Sequence, residues 1–275
     1  MNDHDLTSVV DLHNHLVPGV DDGARDVAAV LESVERMTRV GIRRIITTPH
    51  IRAGLTLVPR DLELRLDEVE HAWETAADAI GLEFPEVEYR QGHEVMLDVP
   101  DPDFSDPRLR LAGTDFVLVE WPRMHIPPAT TRVIEGIVAA GYRPVVAHPE
   151  RYVGVGDSFD IVGSWRDAGA ALQVNYGSFL GRYGSDPRMN AFRLLRRGWA
   201  DYLSTDFHGR SNMKLYKQEA WDLLGELGAR DVLATLCVTN PSRLLRNEPP
   251  LPVAPLPDER GFWARLKDLV QSEMK

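Results

Sequence analysis

Histidine and carboxylate side chains that bind divalent cations recur along this chain, each within a few residues of the end of a predicted β-strand. Two histidines spaced two residues apart on a strand point to the same face, so both can reach one ion. Mixed imidazole and carboxylate ligands suit Mn, Fe or Zn. The pattern predicts a metal site with several ions, and its candidate ligands are His13, His15, Asp22, His50, Glu94, Glu120, His148, Asp206 and His208.

Some of these positions have a second interpretation. A single histidine is more often a surface or core residue than a ligand, so the prediction depends on all nine residues occurring together. Asp22, directly before Gly23, is the preferred ligand of its pair, whereas Asp21 and Asp22 could instead cap the following helix. His93 precedes Glu94 and is left out, because neighbouring side chains on one strand point to opposite faces.

Three arginines lie within three residues of a candidate ligand: Arg52, Arg151 and Arg210. Arginine binds phosphate through two parallel hydrogen bonds. Surface ion pairing is the ordinary role of any one of them. Their shared position beside the ligands favours an anionic substrate.

Charge and cysteine content exclude several classes of protein. The formal net charge of -11 argues against binding nucleic acid, which requires a basic surface. Cys237 is the single cysteine, so an intrachain disulfide and a sulfur-ligated structural zinc site are excluded. Cys237 lies outside every one of the candidate ligand motifs, which argues against a tyrosine phosphatase with a cysteine nucleophile.

The chain carries no targeting segment that we recognise. Its first eight residues are polar, and no apolar run approaches the roughly 20 residues of a membrane-spanning helix. We therefore expect a cytoplasmic protein without a membrane span.

Short apolar runs alternate with amphipathic stretches in seven strand–helix units. Strands rich in Val, Ile and Leu are typical of parallel sheets buried on both faces. Repeated βα units of this number favour an α/β barrel with its site at the carboxyl ends of the strands. The predicted strands are 9–12, 42–47, 87–95, 116–120, 144–147, 171–174 and 202–204, and the predicted helices are 27–40, 61–80, 130–140, 159–168, 186–197, 214–227 and 229–236.

The composition changes near residue 247, which divides the chain into a barrel (1–247) and a C-terminal extension (248–275). Five prolines within 247–258 predict an extended, semi-rigid linker. Residues 259–274 can form an amphipathic helix. Its apolar stripe must dock on its own barrel or on a second copy, so a homo-oligomer is one expectation.

At its motifs the chain resembles the polymerase-and-histidinol-phosphatase (PHP) superfamily, and within it the manganese-dependent protein-tyrosine phosphatases of the CpsB/CapC/YwqE type. The motifs occur in the family's order over roughly 9–247 and are more specific together than any one alone. One departure is His93 in the Gly-x-Glu motif. The strings are Asp11-Leu-His-Asn-His15 through Gly23, Thr48-Pro-His50, Gly92-His-Glu94, Leu118-Val-Glu-Trp-Pro122, Ala147-His-Pro-Glu-Arg-Tyr152, Gln173-Val-Asn-Tyr-Gly-Ser178 and Ser204-Thr-Asp-Phe-His208.

The resemblance implies a distorted seven-stranded (β/α) barrel that holds three metal ions, usually manganese. It implies that Arg151 and Arg210 bind phosphate, with Arg52 as a looser match. It also implies a phosphotyrosine protein substrate, namely the tyrosine-rich tail of a polysaccharide co-polymerase kinase. The implied ion groups are His13, His15, Glu94 and Asp206; Glu94, Glu120 and His148; and Asp22, His50 and His208.

The reaction expected is hydrolysis of a phosphomonoester, with Asp22 or a nearby histidine protonating the leaving group. A histidinol-phosphate phosphatase would use the same residues on a small substrate. A nuclease is disfavoured by the acidic charge. A non-enzymatic assembly subunit is disfavoured by the intact set of ligands.

Overall fold

The computed structural model describes residues 9–156 and 159–256, and it consists of parallel strands alternating with helices. The strands are β1 (Val9–Asp11), β2 (Ile42–Thr47), β3 (His50–Arg52), β4 (Glu88–Gln91), β5 (Glu94–Met96), β6 (Phe116–Glu120), β7 (Arg143–Ala147), β8 (Ala171–Asn175) and β9 (Tyr202–Ser204). The helices are α1 (Val27–Arg39), α2 (Pro59–Glu83), α3 (Thr130–Ala139), α4 (Asp160–Asp167), α5 (Tyr176–Phe179), α6 (Ser185–Arg196), α7 (Lys217–Glu226), α8 (Arg230–Ala234) and α9 (Asn240–Leu244).

The strands form two parallel sheets, which confirms the predicted α/β class. One sheet has the order β1-β2-β4, and the other has the order β3-β5-β6-β7-β8-β9. An isolated parallel bridge between Asn14 and Phe207 connects the segments that follow β1 and β9. This bridge brings an edge of one sheet next to an edge of the other, so ligands from both sheets can share one site.

Most of the strands are buried because helices cover them. All five residues of β6 are buried, as expected for a parallel sheet packed on both faces. Helix α1 begins after Asp26, whose side chain accepts a hydrogen bond from the backbone N–H of Ala29 at 2.8 Å. Asp26 therefore caps this helix, and the two aspartates at 21 and 22 are not its N-cap.

The predicted strand 87–95 is divided in the structure into β4 and β5, which belong to different sheets. The break falls at Gly92, which packs so closely against the backbone of Leu111 that a Cβ atom would lie 3.0 Å from its Cα atom. Strand β3 was not predicted from the sequence, because Pro49 separates it from β2 and it is only three residues long. Pairing of β3 with β5 places His50 opposite Glu94.

The proline-rich segment lies against the rest of the protein as far as it is described. Residues 251–256 form neither helix nor strand, yet Val253 and Leu256 are buried. Gly198, with a φ of 65°, allows this close approach, since a Cβ atom there would lie 2.2 Å from the carbonyl oxygen of Val253. The predicted helix 259–274 lies outside the described residues.

Among the described helices, none combines the length and the apolar character needed to cross a bilayer.

Candidate metal centre

The segments that end or begin strands on one side of the sheets bring the predicted ligands together. Three groups of side chains have candidate ligand atoms within 4.8 Å of one another. They share Glu94, His15 and His50 between them, so the groups form one continuous cluster. The groups are His15, Asp22, His50 and His208; His13, His15 and Glu94; and His50, Glu94 and Glu120.

Glu94 lies at the centre of this cluster and is buried. Its Oε2 atom lies 3.2 Å from Nε2 of His13, 3.4 Å from Nε2 of His15 and 3.1 Å from Nδ1 of His50. Its Oε1 atom lies 2.9 Å from Nε2 of His148. Burial alone would raise the pKa of Glu94, but the surrounding histidines hold it well below its usual range, so the carboxylate is ionised.

Three ligand atoms of this cluster are buried and have no hydrogen-bond partner among the described residues: Nε2 of His13, Nε2 of His15 and Oε2 of Glu94. Buried polar atoms are otherwise almost always hydrogen-bonded. Two atoms that each lie about 2.1 Å from one ion are about 3.0–3.4 Å apart at ordinary coordination angles. The distances from Glu94 to the two histidines match this spacing, so the residues fit a divalent cation.

Asp206 uses its two oxygen atoms differently. The Oδ1 atom faces the cluster, 3.7 Å from Nε2 of His13 and 3.6 Å from Nε2 of His15. The Oδ2 atom accepts hydrogen bonds from Arg151 (2.7 Å), Asn175 (2.9 Å) and Tyr183 (3.2 Å). These three donors fix the carboxylate and leave the other oxygen directed at the cluster.

The structure separates the roles of the two neighbouring aspartates. Oδ1 of Asp22 lies 3.5 Å from Nε2 of His50 and 3.4 Å from Nε2 of His208, within the cluster. Asp21 instead contacts Nδ1 of His15 and accepts backbone N–H bonds from Gly23 and His50. Asp22 thus lies within the cluster as a candidate ligand, whereas Asp21 orients His15.

A buried amide orients the other histidine of the pair. Nδ1 of His13 lies 2.8 Å from Oε1 of Gln173, whose amide group donates to Asn175. An oxygen acceptor requires a proton on Nδ1, so Nε2 of His13 is the atom left to bind an ion. Gln173 and Asn175 belong to a family motif noted in the sequence. Tyr183, by contrast, lies in no pattern that could have identified it.

The carboxylates also control the charge of His13. Burial lowers the pKa of this imidazole, but Glu94 and Asp206 outweigh burial and raise the pKa to about 9.

The hydrogen bond from His208 lowers the pKa of the Asp22 carboxyl. Asp22 is therefore ionised near neutral pH, the form that a metal ligand requires. An ionised carboxylate has no proton to give, so a histidine suits the role of proton donor to the leaving group better than Asp22 does.

Backbone conformation at two of the sites is uncommon. His148 has a φ of 35° and Asp206 a φ of 50°, both in the left-handed region that only a few per cent of non-glycine residues adopt. His and Asp tolerate this region better than most residues. Each follows a buried strand, and the left-handed turn directs its side chain into the cluster.

The three arginines differ in their surroundings. Arg151 donates to Asp206, and Arg210 donates to the backbone oxygen of Asp22 at 2.7 Å. Arg52 is exposed and pairs with Asp98, at 2.8 Å from Nε and 2.7 Å from Nη2. Arg151 and Arg210 thus touch candidate ligands, whereas Arg52 is held at the rim.

His93 is not a member of the cluster. Its Nδ1 atom donates to the carbonyl oxygen of Arg108 at 2.9 Å, and burial lowers its pKa to about 4. His93 is therefore a neutral buried residue that ties β5 to the loop before β6.

Comparisons with known proteins agree with this geometry. Residues 9–246 match the family described as capsular polysaccharide synthesis, CpsB/CapC. The chain is 30% identical to the tyrosine-protein phosphatase YwqE of Bacillus subtilis, over 89% of this chain and 96% of that protein. It is 25% identical to the tyrosine-protein phosphatase CpsB of Streptococcus pneumoniae, over 87% of this chain and 99% of that protein.

A solved structure gives the same result. The matched structure comes from work on YwqE from Bacillus subtilis and CpsB from Streptococcus pneumoniae, two proteins that are described as metal-dependent tyrosine phosphatases. The matched chain superimposes with a TM-score of 0.77 at 26% identity, and it covers 91% of this chain and all of that one. The family match and the extent of the similarity establish that this chain belongs to the CpsB/CapC family.

Proposed function

We propose that this protein is a metal-dependent phosphomonoester hydrolase that removes phosphate from phosphotyrosine on a protein of capsular or exopolysaccharide biosynthesis. The observation that carries this proposal is the convergence of histidines and carboxylates around the buried Glu94. The relatives described as tyrosine-protein phosphatases support the choice of substrate.

The protein is proposed to hold three divalent ions, with manganese preferred and iron or zinc as substitutes. The ligand assignment that we propose is His13, His15, Glu94 and Asp206 for the first ion, Glu94, Glu120 and His148 for the second, and Asp22, His50 and His208 for the third. Residues 1–247 are proposed to form the distorted seven-stranded barrel that carries these ligands. The contact between the segments after β1 and β9 supports closure of the strand order.

The ions would polarise the phosphate oxygens and generate the attacking nucleophile from water. The protein's own contribution is to bind and orient the phosphate. Arg151 and Arg210 are proposed to exchange their present contacts, with Asp206 and Asp22, for oxygen atoms of the phosphoryl group. Two guanidinium groups at this position would stabilise the charge that develops in the transition state. Arg52 is proposed to assist from the rim.

Cys237 has no place in this chemistry. It is completely buried, accepts a hydrogen bond from the Tyr176 hydroxyl at 3.2 Å, and has its pKa raised to about 12 by burial. A thiol in this state is not a nucleophile at neutral pH.

The leaving group of the proposed substrate is a phenolate, which requires little protonation, so a single histidine suffices as the proton donor.

The cellular setting is proposed from the resemblance of the sequence motifs to the family. The substrate is the tyrosine-rich tail of a polysaccharide co-polymerase kinase, and the enzyme acts in the cytoplasm. The C-terminal extension 248–275 is proposed to support a homo-oligomer.

Kinetics on two substrates test the proposal. The manganese-loaded protein should hydrolyse a phosphotyrosine peptide with a higher kcat/KM than histidinol phosphate. A preference for histidinol phosphate would contradict the assigned substrate, and inactivity on every phosphomonoester would contradict hydrolysis itself.

A further inference from the structure

A cavity of about 610 Å³ lies beside Asp206. Arg151 and Tyr183 line it, and both donate hydrogen bonds to Oδ2 of Asp206. Met189 and Arg193 of α6 line it as well. Its volume lies in the range of about 300–1,000 Å³ that is typical of ligand pockets. Residues that bind Asp206 and residues of α6 therefore line the same cavity.

Helix α6 and the turn before it are rich in arginine, although the chain as a whole is acidic. Residues 182–197 contain five arginines and one aspartate, in a protein with a net charge of -11. Clustered charge of one sign attracts ligands of the opposite sign towards the surface that carries it. The arginines are Arg182, Arg188, Arg193, Arg196 and Arg197.

Arg193 is the member of this cluster that lines the cavity. Its Nη1 atom donates to the carbonyl oxygen of Gly156 at 3.1 Å, and its Cζ atom lies 5.8 Å from the centre of the Phe159 ring. These contacts hold the guanidinium group in place before a ligand arrives. A fixed guanidinium group suits carboxylate or phosphate, which it can bind through two hydrogen bonds.

Apolar groups line the same cavity. Val153 is 62% exposed and Met189 is 36% exposed. The Tyr183 ring lies beneath the guanidinium group of Arg151, at 4.1 Å from its Cζ atom. Two acidic residues, Glu150 and Asp186, also line the cavity, so an anion is favoured near Arg193 in particular rather than throughout the cavity.

We propose that this cavity binds the polypeptide next to the phosphotyrosine, and that Arg193 selects substrates with an anionic group there, either a carboxylate or a second phosphate. This inference rests on the proposed function. Arg151 would contact the phosphate that is hydrolysed, and Arg193 would contact its anionic neighbour, as in other proteins that recognise phosphorylated or acidic motifs through several arginines.

The test compares kcat/KM for phosphotyrosine peptides whose neighbouring residues are alanine, aspartate or the non-hydrolysable phosphonomethyl-phenylalanine. Each value is divided by kcat/KM for para-nitrophenyl phosphate measured on the same protein. We expect the manganese-loaded wild-type enzyme to prefer both anionic peptides over the alanine peptide. The aspartate and phosphonate arms distinguish a carboxylate from a phosphate as the favoured group.

Substitution of Arg193 should change this ratio. Arg193→Ala should reduce the preference about three- to fivefold, the range of a partly exposed ion pair, and Arg193→Glu should reverse it. Arg193→Lys, which keeps the charge, should retain part of the preference. Arg246→Ala is the matched control, because Arg246 is an exposed arginine that does not line the cavity. Arg246 pairs with Glu248, and the neighbouring Asn247 donates a hydrogen bond to Asp115, which precedes β6. This control should leave every ratio unchanged.

The outcomes separate the two proposals. Absence of phosphotyrosine turnover by the wild-type enzyme would overturn the proposed function, and this inference with it. Turnover without any preference for anionic neighbours, or a preference that survives Arg193→Glu in folded protein, would overturn the inference alone. An independent readout needs no variant: the wild-type preference should weaken as salt is raised from low ionic strength, and a salt-independent preference would contradict the role of Arg193.

Discussion

The Asp21 carboxylate lies 2.8 Å from Nδ1 of His15, and this contact gives the two adjacent aspartates different roles. The bond holds His15 with its Nε2 atom directed at Glu94. Asp22, one residue later, turns towards His50 and His208. A pair of identical residues thus supplies one orienting group and one candidate ligand.

This division predicts the effect of weakening the orienting bond. Asp21→Asn keeps the shape of the side chain but removes its charge, so we expect metal affinity to fall about 10- to 100-fold. Competition with a fluorescent chelator measures the affinity. Asp26→Asn is the control, because asparagine also caps a helix and this residue lies outside the cluster. Unchanged affinity in Asp21→Asn would show that the contact with His15 does not support the site.

The arginines should contribute unequally to catalysis. Arg151→Ala removes a donor from the proposed phosphate position, so we expect kcat/KM for a phosphotyrosine peptide to fall on the order of 10²-fold. Arg52→Ala should have a smaller effect, since Arg52 would first have to leave Asp98. Steady-state kinetics at saturating manganese measure both variants. Equal losses would place Arg52 on the phosphate beside Arg151.

Cys237 should be dispensable and unreactive. Its pKa of about 12 leaves the buried thiol protonated at neutral pH. Cys237→Ala should therefore keep the wild-type kcat/KM, and the native protein should not react with a thiol reagent that labels the denatured protein. Loss of activity in a folded Cys237→Ala variant would contradict chemistry without a cysteine.

Metal affinity should rise with pH. In the metal-free protein the pKa of His13 is about 9, whereas Glu94 and Asp206 have pKa values below their usual range and are already ionised. Burial also lowers the pKa of His15, but its neighbours Asp206, Asp21 and Glu94 outweigh burial and raise this pKa well above its usual value. Only neutral imidazole binds an ion, so binding below about pH 9 displaces at least the proton of His13. One displaced proton corresponds to about tenfold in affinity per pH unit.

Titration calorimetry in two buffers of different ionisation enthalpy detects this proton directly. We expect an apparent enthalpy that depends on the buffer between pH 6 and 8. Identical enthalpies in both buffers, with affinity constant over the same range, would show that His13 is not protonated in the metal-free site.

The positions of several strands along the chain could be predicted from the sequence, since β2, β6 and β9 have their predicted bounds. Long apolar strands are recognisable because burial on both faces fixes their composition. Strand β3 was missed, and the break between β4 and β5 was not foreseen. Both depend on tertiary contacts, the pairing of His50 with Glu94 and the packing of Gly92, which leave no periodic pattern in the chain.

The candidate ligands were predictable because histidines and acidic residues that recur at the ends of apolar strands are easily recognised in a sequence. The roles of the residues that orient them were not predictable, although Gln173 and Asn175 lie in a motif noted in the sequence. Gln173, Asn175 and Tyr183 reach His13 and Asp206 through side-chain hydrogen bonds that only the folded arrangement reveals. The choice between Asp21 and Asp22 likewise required the turn that precedes Gly23.

The most direct test of the account is the turnover of a phosphotyrosine peptide by the purified protein after thorough chelation and again after titration with manganese. The account predicts that chelation abolishes turnover and that manganese restores it, with metal analysis showing up to three ions for each chain. Turnover that survives complete removal of metal and does not respond to manganese would contradict it.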